Sequence, residues 1–280
     1  MNVGIVGLGL IGGSMAKAYK KAGARVSGFD SNKVIEDFAK MSGAIDDELD
    51  ETHFSSCRLI ILAVTPPEAM AWLKENAGKI GADTIVVDCC GTKRMICEEG
   101  FAIAKVSGFT FVGGHPMAGK QVGGFKNSRA DLFAGATMAL VPDKCDDPQM
   151  MSELKALFEM AGFSKIVITT AEEHDEIIAF TSQMTHLAAN AFIKSQTALQ
   201  AGGAVSAGSF RDFTRVANLD EDMWTELFFE NRDNLINELA QFIAELQRYE
   251  KALEEGDRDT MKELLSEGAR QKSEVEKRCG

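Results

Sequence analysis

The sequence has 280 residues, of which 45% are hydrophobic, and a formal net charge of -12 at pH 7. An acidic surface repels phosphate backbones and anionic lipid headgroups, so this charge disfavours nucleic acid and membrane partners. The length permits one large or two modest hydrophobic cores, and no apolar run is long enough to cross a bilayer.

The cysteines and the N-terminus indicate the compartment. None of the six cysteines forms a C-x-x-C pair, which is typical of reduced thiols and disfavours a disulfide or zinc framework. The first residues pass directly into an apolar strand pattern, without the basic region of a signal peptide. We therefore expect a cytoplasmic protein.

The N-terminal stretch has the order of strand, glycine turn and helix that a dinucleotide fingerprint requires. Residues 2–6 predict a strand, and apolar residues at helical spacing follow. The glycines between them permit a tight turn, a close approach to a pyrophosphate and packing of helix on strand, while the helix N-terminus attracts phosphates. The expected cofactor-binding positions are Gly7, Leu8, Gly9, Leu10, Ile11 and Gly12.

The second predicted strand, residues 25–29, ends at Asp30. A carboxylate at this position bonds the ribose hydroxyls of a dinucleotide and repels a 2′-phosphate, which favours NAD over NADP. The alternative is that Asp30, with the two residues after it, caps the helix predicted over residues 33–41. Both roles are compatible.

Continuous apolar runs predict further strands, which alternate with helices such as the one over residues 147–160. The runs cover residues 59–64, 84–87, 109–112, 137–141 and 165–168. This alternation predicts an α/β Rossmann-type domain with a parallel, doubly wound sheet over residues 1–168. Thr65 follows the first of these runs and precedes two prolines, so it either borders the cofactor or begins the next helix.

One histidine follows the strand predicted at residues 109–112. We expect Gly113 and Gly114 to turn the backbone sharply and Pro116 to fix it just after His115. The imidazole would then lie at a strand end, where open α/β sheets bind ligands. Our hypothesis is that His115 takes a proton while a nicotinamide takes a hydride. The alternative is a turn histidine satisfied by local hydrogen bonds.

The pattern changes after residue 168, where no further strand is predicted. A capping box formed by Thr170 and Glu173 opens a long, mostly apolar helix that carries a polar stripe. The stripe contains Ser182, Gln183, His186 and Asn190. A ligand pocket and ordinary hydrogen bonds between helices explain this stripe equally well.

Two arginines and a long helix complete the second half. Arg211 and Arg215 are four residues apart and suit carboxylate capture, or else a salt bridge such as Arg215 with Asp212. A single helix is predicted over residues 221–253, with a seam of apolar residues four and three apart, and a last helix over residues 259–277. The seam contains Leu235, Leu239, Phe242 and Leu246. We expect an all-α domain over residues 169–280 that dimerises.

Over nearly its whole length the sequence resembles the prephenate/arogenate dehydrogenase family of tyrosine biosynthesis. The resemblance is carried by the glycine fingerprint and by motifs further along the chain. These are Gly-His-Pro-Met-Ala-Gly at residues 114–119, His174-Asp175, the helix segment ending at His186, Phe-Arg-Asp-Phe-Thr-Arg at residues 210–215, and Trp224. The family implies a nucleotide domain, a helical dimerisation domain, and a site between them.

The resemblance also implies residue roles. His115 matches the catalytic histidine, His186 matches a histidine that faces the substrate, and Arg215 matches the arginine that binds a substrate carboxylate. Arg211 and Trp224 match positions that line the same pocket.

Two of the chain's departures from the family concern the predicted site. Gln183 replaces the first histidine of the helix motif, and Gly91 replaces a serine whose hydroxyl helps orient the catalytic histidine. We expect Gln183 to border the substrate, and either Gln183 or a water to hold His115.

The function implied by the resemblance is the NAD-dependent conversion of prephenate to 4-hydroxyphenylpyruvate by a homodimer. The family equally includes oxidation of arogenate to tyrosine. Two further hypotheses are a 3-hydroxyacid dehydrogenase and a protein that senses NAD without chemistry, and a purely structural helical module would leave the glycine fingerprint unexplained.

Overall fold

The computed structural model describes residues 1–119, 122–144, 147–201 and 208–279. Its first half alternates strands and helices, and its second half is helical in the part of the chain described. The strands are β1 Asn2–Val6, β2 Arg25–Phe29, β3 Asp47–Glu48, β4 Leu59–Leu62, β5 Ile85–Asp88, β6 Thr110–Pro116, β7 Thr137–Pro142 and β8 Lys165–Ile168.

Helices cover both faces of the sheet and then form the second half. Those of the first half are α1 Leu10–Lys21, α2 Lys33–Met41, α3 Glu51–Phe54, α4 Pro66–Asn76, α5 Arg94–Ser107 and α6 Pro148–Met160. Those of the second half are α7 Ala171–Ile178, α8 Thr185–Phe192, α9 Gln196–Ala201, α10 Gly208–Thr214, α11 Glu221–Glu230, α12 Arg232–Glu254 and α13 Arg258–Cys279. No helix among the described residues is both long and apolar enough to cross a membrane.

The eight strands form one sheet in the order β3-β2-β1-β4-β5-β6-β7-β8. The predicted Rossmann-type architecture is confirmed, with one correction: β7 runs antiparallel to β6, while every other pair is parallel. A parallel neighbour requires a crossover, usually a helix. The described part of the connection from β6 to β7 contains only the short 3₁₀ turn Phe125–Asn127, which suits an antiparallel return.

The strand that carries His115 is longer than predicted. It continues to Pro116, and His115 pairs with Ala139 of β7. The two glycines before His115 do not turn the backbone; they permit close packing. A Cβ at Gly113 would lie 2.4 Å from Cys97 Sγ, and one at Gly114 would lie 2.4 Å from the backbone oxygen of Asp88.

Two helices of the second half differ from the sequence prediction. The helix after Thr170 contains a π-helical segment, Ala179–Met184, between α7 and α8. The helix predicted over residues 221–253 is divided at Asn231, which is fully buried between α11 and α12. Its side-chain amide donates to the backbone oxygen of Asp175 at 2.7 Å and to Gln183 Oε1 at 2.9 Å. Tertiary hydrogen bonds therefore fix this break.

The first half contains the hydrophobic core. Strands β4 and β5 are buried along their whole length, and the core extends onto both faces of the sheet. Strand β8 ends at Ile168 and α7 begins at Ala171, so the predicted boundary at residue 168 falls between the two kinds of structure. The boundary itself stays a prediction.

Candidate active site

The fingerprint glycines lie at the carboxyl edge of the sheet. Gly7 follows β1 with a φ of 83°, and a Cβ there would lie 2.6 Å from the backbone oxygen of Ala63. A Cβ at Gly12 would lie 1.8 Å from the backbone oxygen of Gly7, so only glycine lets α1 pack this closely. Gly9, the N-cap of α1, has open space beside it, which leaves its backbone accessible to a phosphate.

Asp30 stabilises this turn through hydrogen bonds to backbone amides. Its Oδ2 accepts a hydrogen bond from the backbone N–H of Leu8 at 2.8 Å, and its Oδ1 accepts from the N–H of Asn32 at 2.9 Å. The cap of α2 is Asn32, whose side chain accepts from the backbone N–H of Val34 at 3.1 Å. The carboxylate of Asp30 is therefore left at the ribose end of the fingerprint.

A cleft of about 930 Å³ lies between the two halves of the chain. Its sheet side includes five of the predicted cofactor positions, namely Gly7, Gly9, Ile11, Asp30 and Thr65. Leu8 and Gly12 are buried behind this wall and shape the turn. Thr65 has both predicted roles, since it borders the cleft and is the N-cap of α4, in a capping box with Glu68. The open glycine wall and the carboxylate at its end fit a dinucleotide such as NAD.

The helical side of the cleft is acidic. Asp220, Asp222, Glu226 and Glu230 of the segment that forms α11 border it, together with Leu227. Burial raises the pKa of Glu230, although a hydrogen bond from the hydroxyl of Thr92 opposes this shift. Leu227 fills the space beside Gly91, where an added Cβ would lie 2.9 Å from its Cδ2. The helix thus occupies the place where the family serine would extend.

His115 lies at the carboxyl end of β6, at the same edge of the sheet as the fingerprint, because β6 is parallel to β5. Its Nδ1 is 2.9 Å from Nε2 of His174, and Nδ1 of His174 is 2.8 Å from Oδ1 of Asp175. His174 and Asp175 are both buried and belong to α7. His174, and not Gln183, is thus the observed side-chain partner of His115.

A buried ion pair supports the strand that carries His115. The ammonium group of Lys93, completely buried, pairs with the carboxylate of Asp88 at the end of β5. The other oxygen of Asp88 accepts from the backbone N–H of Gly114 at 3.0 Å. This bond ties β6 to β5 one residue before the histidine.

The surroundings keep His115 neutral. Burial, followed by the charges of His174 and Lys93, lowers the pKa of His115 from 6.5 to about 3, while Asp175 opposes the shift. A neutral imidazole has a free lone pair, so it can accept a proton. The geometry therefore places one available base at this edge of the sheet.

Gln183 requires a correction. We expected it to border the substrate, but it is only 2% exposed and bonded within the helical half. Its Nε2 donates to the backbone oxygen of Leu227 at 2.8 Å, and its Oε1 accepts from Asn231. Because both ends of the amide are engaged, Gln183 joins the π-helical segment to α11 and α12. Asn190 likewise donates to the backbone oxygen of Ala217, so the polar stripe serves helix packing at these positions.

The remaining predicted residues lie on the helical half. His186 bonds the backbone oxygen of Ser182 through Nδ1 at 2.8 Å, and its ring packs on Trp224 with centroids 4.2 Å apart. Arg211 and Arg215, at the end of α10, are exposed.

The cysteines at the cleft are not candidate nucleophiles. Cys57, Cys89, Cys90 and Cys97 are free, and Cys89 and Cys90 border the cleft. Burial raises the pKa of both thiols, which therefore stay protonated and unreactive. Cys145 lies outside the described residues, as does the side chain of Cys279.

Comparison with known proteins gives matches along most of the chain. Residues 15–167 match the family model "Prephenate dehydrogenase, nucleotide-binding domain", and residues 170–267 match "Prephenate dehydrogenase, dimerization domain". The chain is 29% identical to a prephenate dehydrogenase of Bacillus subtilis over 92% of this chain and 71% of that protein. It is 30% identical to a cyclohexadienyl dehydrogenase of Zymomonas mobilis over 95% of this chain and 93% of that protein.

A solved structure agrees with these matches. Prephenate dehydrogenase from A. aeolicus, in complex with hydroxyphenyl propionate and NAD+, superposes with a TM-score of 0.84 at 25% identity. The superposition covers 98% of each chain. The likeness therefore extends across both halves and the cleft between them.

Proposed function

The chain belongs to the prephenate dehydrogenase family, and from this premise we propose that it oxidises and decarboxylates prephenate to 4-hydroxyphenylpyruvate with NAD+. One observation carries the proposal: a neutral histidine, His115, stands at the sheet edge that also forms the wall of a dinucleotide cleft. This pairing of a base with a hydride acceptor is what oxidation of an alcohol requires.

The substrate itself supplies most of the driving force. Prephenate is a cyclohexadienol that bears a carboxylate on its ring, and oxidation of its carbinol carbon gives a ketone conjugated with that position. Carbon dioxide then leaves and the ring becomes aromatic. The chain therefore has mainly to bind, orient and deprotonate the substrate.

The cofactor supplies the hydride acceptor when it is bound. Backbone groups of Gly7, Gly9 and Ile11 would hold its phosphates, and the carboxylate of Asp30 would bond its ribose and disfavour a 2′-phosphate. Thr65 would border the adjacent part of the cofactor.

His115 is the base in this proposal, and it takes the proton of the ring hydroxyl as the carbinol carbon is oxidised. Arg215 binds a substrate carboxylate, assisted by Arg211. His186 and Trp224, whose rings pack together, form one wall of the substrate pocket. These roles rest on the family motifs at these positions.

Arogenate is the second candidate substrate. It carries an ammonium group where prephenate carries a ketone, and is less negative overall. The carboxyl groups of Asp220, Asp222, Glu226 and Glu230 on the helical wall of the cleft favour a less negative substrate. The match to a cyclohexadienyl dehydrogenase supports the same alternative.

We further propose that the enzyme is a homodimer in the cytoplasm. The dimerization-domain match supports the oligomer, and so does an exposed apolar row on α12 that contains Ile236, Phe242, Ile243, Leu246 and Leu253. Four free cysteines support a reducing compartment. The exclusion of nucleic acid and membrane partners stays a prediction.

The test is a spectrophotometric assay of NADH formation with prephenate or arogenate as substrate, each with NAD+ or NADP+. We expect turnover of prephenate with NAD+ and release of carbon dioxide, and little turnover with NADP+. Faster turnover of arogenate would select the second candidate. Turnover of a 3-hydroxyacid without carbon dioxide release, or no turnover of either cyclohexadienol, would contradict the proposal.

A further inference from the structure

Three side chains form a continuous hydrogen-bonded row across the two halves of the chain. His115 belongs to the sheet, and His174 and Asp175 belong to α7 of the helical half. The Nδ1–Nε2 distance between the two imidazoles is 2.9 Å, and the distance from His174 Nδ1 to Asp175 Oδ1 is 2.8 Å. This arrangement has consequences for where the protons lie.

Asp175 can only accept hydrogen bonds. Its Oδ1 also accepts from the backbone N–H of Lys93 at 2.7 Å, and its Oδ2 accepts from the N–H of Arg94 at 3.0 Å. Burial alone would raise the pKa of Asp175, but hydrogen bonds from His174 and from these two amides outweigh it and lower the pKa. An ionised carboxylate has no proton to donate.

In a row whose two imidazoles are both uncharged, the positions of the protons follow from this. Nδ1 of His174 must carry a hydrogen, because it faces a group that only accepts. Its Nε2 then holds a lone pair and accepts, so Nδ1 of His115 must be the donor. The lone pair of His115 is left on Nε2, and this is the nitrogen that can take a proton from a substrate.

We propose that an uncharged His174, together with Asp175, is a positioning group that fixes His115 in the tautomer whose Nε2 is unprotonated. This inference rests on the proposed function, in which His115 is the base. When His115 takes the substrate proton, its Nδ1–H keeps its acceptor, and the carboxylate of Asp175 lies behind it to stabilise the imidazolium. The proton on Nδ1 of His115 stays in place while Nε2 takes up the substrate proton.

The row also makes the base depend on the docking of the two halves. Lys93 and Arg94 begin α5 of the sheet half, and their amides hold the carboxylate of a residue on α7. The buried Asn231 reaches the same residue, since it donates to the backbone oxygen of Asp175. Asp175 is thus held from the sheet half and from the helical half together.

The family serine is absent here, and this row takes over its orienting role. Gly91 has no side chain, and Leu227 occupies the adjacent space. The partner that fixes His115 therefore comes from α7.

The direct test is nitrogen NMR on the full-length protein, labelled with ¹⁵N-histidine and saturated with NAD+, without substrate. The chain has four histidines, and the His115→Asn variant assigns the signal of His115. We expect a neutral ring with a protonated Nδ1 and an unprotonated Nε2. The opposite tautomer, or a mixture of both, would overturn the proposal.

Kinetics with matched variants complete the test. His174→Phe keeps a planar ring but removes both nitrogens, so we expect a mixed tautomer and a kcat about tenfold to a hundredfold lower, a part of what a general base contributes. The KM for NAD+ should not change. His174→Gln retains an oxygen that accepts from His115, and should restore most of kcat.

The chain offers a control pair. His53 of α3 bonds Asp50, the N-cap of that helix, with the same Nδ1–Oδ1 distance of 2.8 Å in an exposed position. His53→Phe should leave kcat and the His115 signal unchanged. Wild-type kcat and a single His115 tautomer in folded His174→Phe would overturn the proposal. If His174→Phe does not fold, the wild-type NMR signal decides.

The two proposals fail separately. If the wild-type enzyme oxidises neither prephenate nor arogenate, the proposed function fails, yet the tautomer of His115 is still measured without substrate. If the enzyme turns over but His115 carries its proton on Nε2, the function stands and the positioning role of His174 and Asp175 is wrong.

Discussion

The two halves of this chain differ in how much of their structure they support by themselves. In the sheet half, β4 and β5 are wholly buried, and two apolar clusters fill both faces of the sheet. In the helical half, α12 has 23 residues, of which only Leu235 and Ala252 are buried. An exposed apolar surface of this kind on α12 is typical of a helix that also packs against another molecule.

This difference indicates that the two halves have different roles in the proposed reaction. The self-contained half holds the proposed base and the residues proposed to bind the cofactor, and both functions need fixed geometry. The other half holds the groups proposed to contact the substrate, and its proposed partners in packing are the sheet half and a second copy. The predictions below test this difference in roles, and begin with the largest expected effect.

Removal of the base should affect the chemical step alone. In His115→Asn we expect kcat to fall by about a hundredfold or more, because general-base catalysis is lost. NAD+ affinity, measured by fluorescence titration, should stay at the wild-type value, since the fingerprint is untouched. His53→Asn is the matched control and should retain full activity. Near-normal turnover of His115→Asn would show that the general base is not His115.

Removal of the arginine should affect substrate binding. In Arg215→Ala we expect the KM for substrate to rise by about tenfold to a hundredfold, the effect of one lost charged hydrogen-bond pair. Steady-state kinetics measure this, with Arg270→Ala on α13 as the control. An unchanged KM would place carboxylate recognition outside this part of the helical half.

The sheet half was also the easier half to predict from sequence. Strands β1, β2 and β8 and helix α2 begin and end where the sequence pattern predicts, because local apolar periodicity and turn residues determine these bounds. The antiparallel β7 was not predicted, because strand direction depends on the connection and leaves no mark in an apolar run.

The helical half depends on contacts between residues distant in sequence. Neither Gly nor Pro marks the break at Asn231, and its cause lies in hydrogen bonds to residues 48 and 56 positions away. The sequence therefore predicts one helix where tertiary contacts require two.

The partner of His115 was missed for the same reason. His174 is 59 residues away, and its pairing with Asp175 appeared only as a family motif. One signal was present: His174 lies three and four positions before Ile177 and Ile178, so a histidine and an adjacent acid approach the apolar face of a helix. Buried polar groups of this kind require partners.

A charge on the exposed row of α12 should affect assembly and leave the sheet half folded. Ile243 is 45% exposed. In Ile243→Glu we expect the dissociation constant of the dimer to increase by about tenfold or more, because a carboxylate would be buried at the interface. Light scattering coupled to size-exclusion chromatography measures this, and Val106→Glu, on the surface helix α5, is the control. A wild-type dimer in Ile243→Glu would place the interface elsewhere.

The smallest expected effect is on the pH dependence of activity. An unperturbed histidine base would lose activity as the pH falls through 6.5, but burial and the neighbouring His174 and Lys93 lower the pKa of His115 to about 3. Substrate turnover should therefore show no acid limb near pH 6.5 that originates from this residue.

The lowered pKa of His115 should affect the pH dependence of the free energy of unfolding. Below pH 6.5 the unfolded chain binds a proton at this histidine and the folded chain does not, so the contribution of His115 to stability is lost as the pH falls towards 3. The slope for one such group is about 1.4 kcal/mol per pH unit. Urea unfolding of wild type and His115→Asn at several pH values measures it. Equal slopes in the two proteins would mean that the sheet half does not hold this histidine neutral, and the contrast between the halves would lose its chemical basis.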